Sequence, residues 1–137
     1  VMNNVLLVYG DIGEEEFTEI PTSFDDLKLR LENIRDKYNA LLKMSYSVDL
    51  VREGVGHLSV GLGYEQWMLF YYSEDGEMVL NSLGDEDVEG TVLFYFGDRT
   101  ELSKKYLVPE ENALEVIRVW FEQGELSDAI KWTEKIY

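Results

Sequence analysis

Residues 45–83 read SYSVDLVREGVGHLSVGLGYEQWMLFYYSEDGEMVLNSL, and the lengths of the gaps between its apolar runs decide the fold. The runs 45–51, 57–63, 66–73 and 77–83 are short, rich in β-branched and aromatic residues, and bounded by turn formers such as REGVG and SEDGE. That is the signature of successive strands. The connections are too short for crossover helices, so neighbouring strands are expected to be antiparallel. Strand 66–73 is apolar on both faces, with Trp67, Leu69 and Tyr71 on one and Met68, Phe70 and Tyr72 on the other. Such a strand is central and covered on both sides, or else its second face meets a partner. Burial within the chain is the favoured reading, above all for Trp67.

On either side the pattern changes. Residues 4–9 (NVLLVY) and 91–97 (TVLFYFG) read as further strands, and GDIGEEEFTEIPT as an irregular acidic connection. From Ser23 the period becomes helical: Phe24, Leu27, Leu31, Ile34, Tyr38, Leu41 and Leu42 recur at three- and four-residue steps. Ser23 suits an N-cap, Asp25 and Asp26 suit the positive end of the helix dipole, and Lys43 suits the other end. A second helix is expected from Pro109 to Gln123, with Glu110 and Glu111 in its first turn, Gly124 as its left-handed stop, and Ala113, Val116, Ile117, Trp120 and Phe121 as its buried stripe. Trp132, in the tail LSDAIKWTEKIY, is expected to pack back on the sheet. The expected fold is a single α+β domain over residues 1–137, an antiparallel sheet of about five to seven strands flanked by two main helices.

Composition narrows the function. A chain of 137 residues with 45% apolar and 13% aromatic residues can bury roughly two thirds of its unfolded surface, which excludes a disordered acidic tail. The absence of cysteine excludes disulfides and thiolate chemistry. With no apolar run near the roughly 18–20 residues a spanning helix needs, and no secretory start, the expected location is the cytoplasm. The 28 acidic and 12 basic side chains give a net charge of −16. A surface so negative disfavours nucleic acid and anionic membranes and suits a basic protein partner, although solubility alone could use part of it. The charge is also segregated: no Lys or Arg stands between Arg52 and Arg99.

Catalytic and metal motifs fail in turn. Asp85, Asp87, Glu89 and Gly90 match the start of a calcium loop, but its twelfth position is Phe96 and no helices flank it. His57 is the only histidine and has no nucleophile elbow to serve. GVGHLS and GLGYEQ lack the third glycine of a dinucleotide loop. Carboxylates abound, so no one pair points to hydrolysis. No catalytic residue, metal ligand or cofactor is expected.

The C-terminal third, GTVLFYFGDRTELSKKYLVPEENALEVIRVWFEQGELSDAIKW, resembles the first-numbered immunity-protein family of bacterial polymorphic toxin systems. The matching positions are Phe94, Tyr95, Gly97, Leu107, Val108, Pro109, Ala113, Phe121, Gly124 and Trp132, with Gly56, Leu58, Val60 and Gly61 upstream. Ser127 stands where the family usually has proline. The resemblance implies a non-enzymatic protein that binds and neutralises a toxin encoded beside it, often a nucleic-acid deaminase and sometimes another nuclease-like effector, in a complex expected to be 1:1. Such a toxin needs a basic groove, which an acidic protein can occupy. The expected contacts are Asp85, Glu86, Asp87 and Glu89, with Glu74, Asp75 and Glu77 in a nearby turn and Tyr71 as an aromatic anchor. The alternative is an acidic adaptor that engages a basic protein with no toxin involved. A small hydrolase using scattered carboxylates is a third possibility.

Overall fold

The computed structural model describes residues 5–10 and 15–137; Asn4 of the first expected strand and residues 11–14 of the acidic connection lie outside them. In chain order the elements are β1 (Val5–Tyr9), β2 (Phe17–Glu19), α1 (Phe24–Leu42), β3 (Ser45–Arg52), β4 (Gly56–Leu62), β5 (Gln66–Ser73), β6 (Val79–Leu83), β7 (Thr91–Tyr95), β8 (Arg99–Ser103), β9 (Leu107–Pro109), α2 (Glu110–Gln123) and β10 (Lys131–Thr133). The class is α+β, as expected, but the sheet has 10 strands and so exceeds the five to seven expected. The additions β2, β8, β9 and β10 are only three to five residues long (FTE, RTELS, LVP, KWT). None shows the apolar alternation that marks a strand in sequence.

The main path runs β10-β6-β5-β4-β3-β1-β2, antiparallel throughout. β5 is central, as its two apolar faces require. β4 lines one of its edges, while β9 and β6 share the other, at Gln66–Met68 and Phe70–Tyr72 respectively. Where β9 gives way to β6, the Ser82 hydroxyl accepts from the Leu69 amide at 2.9 Å and donates to the Tyr106 carbonyl at 2.6 Å, so the ladder changes partner without leaving a buried group unpaired.

The expectation of antiparallel neighbours fails at one place. β7 does not pair with β6; it runs parallel to β3, with Ser45 opposite Phe94 and Tyr46 opposite Tyr95. The intervening strands act as the crossover that a parallel pair needs. β1 occupies the other end of the same β3 edge, from Arg52 to Asp49. The sheet therefore forks along β3, and the β7–β8 hairpin leaves the main path there.

Both helices cover one face. Leu27, Leu31, Ile34 and Tyr38 of α1 and Ala113, Val116, Ile117, Trp120 and Phe121 of α2 are buried against Leu7, Val48, Leu50, Val60, Trp67 and Leu69. Leu41, expected in the buried stripe of α1, is 66% exposed, while its neighbour Leu42 packs against the core. The cap at Ser23 is as expected, its hydroxyl accepting from the Asp26 amide at 3.0 Å. Lys43 closes α1 in the left-handed conformation, φ 58°, and Gly124 does the same for α2 at φ 73°. The Arg52 guanidinium donates to the carbonyls of Trp120 and Phe121 at the end of α2, at 3.1 and 2.7 Å, a service no base in the last turn of α2 supplies. Trp132 packs against the main core from β10, as expected.

A second, smaller cluster lies on the opposite face, where the β7–β8 hairpin and Tyr106 fold over Met68 and Phe70. Gly61 makes this possible: a Cβ there would lie 2.6 Å from the Phe94 ring, so a side chain would lift the hairpin off the sheet.

Asn39 ties the layers together at the end of α1. It is buried, donates to the Leu62 carbonyl at 2.8 Å and accepts from the Tyr46 amide at 2.7 Å. Asn39→Ala would strand two buried backbone groups, each worth about 1–3 kcal/mol when left unpaired. The expected loss is about 2–4 kcal/mol by denaturant unfolding.

β2 is held by polar contacts. Tyr9 donates to Glu19, which with Asp26 also accepts from Arg30 at 2.6 and 3.0 Å. Burial pushes the Glu19 carboxyl up, but the Tyr9 hydroxyl and Arg30 guanidinium outweigh it and hold it below its ordinary value. Burial, then Glu19, pushes the Tyr9 hydroxyl up to about 12. The signs follow by linkage. The Glu19 contribution is present above the unfolded carboxylate value of about 4.3 and is lost as pH falls through the lower folded value. The Tyr9 contribution is present below about 10 and is lost as pH rises toward about 12. Amide exchange at residues 17–19 is therefore expected to quicken at both extremes before the main core opens.

Candidate partner-binding surface

The structure puts the expected acidic contacts in two places. Glu74, Asp75 and Glu77 occupy the β5–β6 turn, and Asp85, Glu86, Asp87 and Glu89 the loop after β6; all are exposed. The two groups stand at opposite ends of β6, a five-residue strand about 16 Å long. They do not form one cluster.

Several of these carboxylates also shape their own loops. Asp75 accepts from the Ser73 hydroxyl at 2.6 Å and the Glu77 amide at 3.0 Å, and those bonds hold its carboxyl below the ordinary range. Asp85 accepts from the Asp87 amide at 2.9 Å. Glu74 accepts from the Gly54 amide, and Glu86 from the Tyr137 hydroxyl at 3.1 Å. Glu77, Asp87 and Glu89 have no side-chain partner among the described residues. Tyr71 is only 6% exposed, with its hydroxyl toward the Val55 carbonyl; it is a core residue that shows a partner little but an edge. Trp67 is fully buried.

The two ends of β6 differ in their surroundings. Near the 85–89 loop, the Lys104 side chain passes Gly90, and the Lys105 and Lys135 ammoniums lie 4.8 and 4.9 Å from the Tyr137 ring that binds Glu86. Among the described residues no basic side chain is paired with the 74–77 turn. Beside that turn, Tyr72, Met78 and Val79 are exposed apolar residues, and Tyr72 and Val79 face each other across β5 and β6. Apolar anchors ringed by charge are the usual centre of a binding surface.

The remaining open face holds a cleft of about 320 Å³ lined by Val8, Tyr9, Glu16, Tyr46, Ser47, Asp49, Ser59, Tyr72, Phe96 and Gly97. It lies in the fork where β1 and β7 part from β3. Asp49, Ser59 and Tyr72 belong to neighbouring strands with outward side chains, and Ser59 donates to Asp49 at 2.5 Å. Burial, then the Asp49 charge, pushes the Tyr72 hydroxyl up. The Tyr72 ring is stacked on His57, centroids 4.8 Å apart and planes 10° apart. Sequence reasoning missed this site. The available signals were a carboxylate in mid-strand at Asp49 and the small residues Ser59 and Gly61 beside His57.

Ion pairs are confined to the helix side. Among the described residues all are made by Arg30, Arg35 and Arg118, with Glu19, Asp26, Asp36, Glu110, Glu115 and Glu122. Such surface pairs add little stability, but they neutralise the helical layer locally. The exposed carboxylates of the 74–77 turn take part in none of these pairs. No cluster of His, Asp or Glu suited to a metal is found among the described residues, and no helix is long and apolar enough to cross a membrane.

No curated protein matches this chain in sequence. The sequence model of the family described as Immunity protein Imm1 matches residues 20–134, from just before α1 through β10. That span is most of the chain and takes in the N-terminal helix as well as the C-terminal third. The chain belongs to the Imm1 family of immunity proteins.

Proposed function

We propose that the protein binds a cognate toxin of basic surface, in a 1:1 complex in the cytoplasm, and neutralises it by covering the groove through which it engages nucleic acid. A nucleic-acid deaminase or a nuclease-like effector fits this reading, since the substrate of either is a polyanion and its groove must be basic. The observation that carries the reading is the segregation of charge. The arginines of α1 and α2 are engaged with neighbouring carboxylates. The 74–77 turn presents acid with no paired base among the described residues, beside the exposed Tyr72, Met78 and Val79. Of the two acidic loops, the 74–77 turn is the better candidate contact, and the 85–89 loop is the outer one. The protein acts by binding and performs no catalysis.

Co-expression tests this reading. The toxin domain encoded beside this gene should stop growth when expressed alone, and growth should return with this protein present. A neighbouring product that is harmless alone, or one that kills equally with this protein present, would remove the immunity function proposed.

A further inference from the structure

We propose that the fork cleft receives an arginine side chain presented by the basic protein partner, with the Asp49 carboxylate as its counter-charge and the Tyr72 and Phe96 rings as its walls. This deepens the binding function proposed above and rests on it. Among the outward residues of β3, β4 and β5, Asp49 is the only one with a formal charge. Aspartate is depleted in strand interiors, and packing does not explain it here, since β1, β3 and β4 could meet at this point with any small polar residue. One oxygen of Asp49 accepts from Ser59, itself only 8% exposed, which fixes the carboxylate. The other oxygen has no partner among the described residues and is left for a ligand.

The lining chooses the ligand. Glu16 and Asp49 are the charged members, and no Lys or Arg lines the cleft, so the occupant is a cation. No metal-type cluster converges there among the described residues. The volume of about 320 Å³ is at the lower end for small-molecule pockets, roughly 300–1,000 Å³, and suits a side chain entering from a docked surface. Between the two cationic side chains, arginine fits better than lysine: its plane stacks on aromatic rings, and its fork of donors matches a carboxylate together with nearby hydroxyls. Ser47 adds a hydroxyl to the same lining, its proton given to the Tyr95 carbonyl at 2.6 Å and its oxygen able to accept. His57, outside the cleft, backs the Tyr72 ring, so that wall is set before the partner arrives. Partial removal from water strengthens the contact relative to an exposed ion pair.

The test is the dissociation rate of the adjacent-gene toxin domain from the wild type, Asp49→Asn and Tyr72→Ala, each checked for an unchanged thermal melt. Asparagine keeps an oxygen for Ser59 and removes only the charge. Asp49→Asn is expected to release the toxin about thirtyfold faster or more, with association changed by less than about threefold, since loss of a desolvated charge partner acts on release. Tyr72→Ala is expected to speed release about tenfold. A folded Asp49→Asn that releases within about threefold of the wild type would overturn the proposal. Should that variant not fold, an unchanged release rate for Tyr72→Ala would do the same. If the wild type itself does not bind the toxin, the binding function fails, and the cleft proposal with it.

Discussion

Trp67→Ala is expected to remove about 3–5 kcal/mol of stability, a large share of the roughly 5–15 kcal/mol that holds a domain of this kind together. Trp67 is fully buried in the main core, on the central strand, between the helices and the sheet. Truncation would leave a cavity whose walls belong to regular elements and cannot collapse. Among the described residues the indole N–H has no hydrogen-bond partner, and the same holds for Trp120. An unpaired buried donor costs about 1–3 kcal/mol, so Trp67→Phe recovers part of what it loses in volume and should be much milder than the alanine. Guanidinium unfolding of the two variants measures this. A loss below about 1 kcal/mol for Trp67→Ala would show that the side chain is not a core residue. Toxin binding by folded Trp67→Phe is expected to match the wild type, which separates a packing role from an anchoring one.

The second large effect is on association and depends on where charge is changed. Glu74 and Glu77 lie in the β5–β6 turn, and Asp87 and Glu89 at the far end of β6 near Lys104. Glu74→Lys with Glu77→Lys alters the net charge by the same amount as Asp87→Lys with Glu89→Lys. The first pair is expected to slow toxin association about tenfold or more, and the second less than about threefold, because steering is greatest beside the contact. These choices avoid Asp75 and Asp85, whose carboxylates cap their own turns; Glu74 gives up one bond, from the Gly54 amide. Equal slowing by both pairs would mean that total charge alone guides the encounter.

The elements that the sequence made legible are those whose signals are local. α1 announces itself by Ser23, Asp25, Asp26 and a run of apolar residues at helical spacing; α2 by Pro109, the two following glutamates and Gly124. β3, β4 and β5 show alternation or continuous apolar character, and the central position of β5 followed from having two apolar faces. What stayed hidden depends on pairings between distant residues. Nothing near Ser45 or Phe94 says that these two will lie side by side, yet that parallel contact creates the fork and the cleft within it. β2, β8, β9 and β10 are stabilised by the strands they join rather than by their own composition, so they read as loops. The acidic loops were visible as composition, but their separation was not, since it depends on β6 being a strand with one loop at each end. Asp49 was obscured for the same reason: a mid-strand carboxylate gains meaning only once its neighbours on β1, β4 and β7 are known.

The dependence of toxin association on ionic strength tests the electrostatic account most directly. The rate constant for capture of the adjacent-gene toxin domain should fall at least about tenfold between roughly 50 and 500 mM salt, as the Debye length contracts from about 14 Å to about 4 Å. An association rate that does not change with salt would contradict capture of a basic surface by the carboxylates around the 74–77 turn.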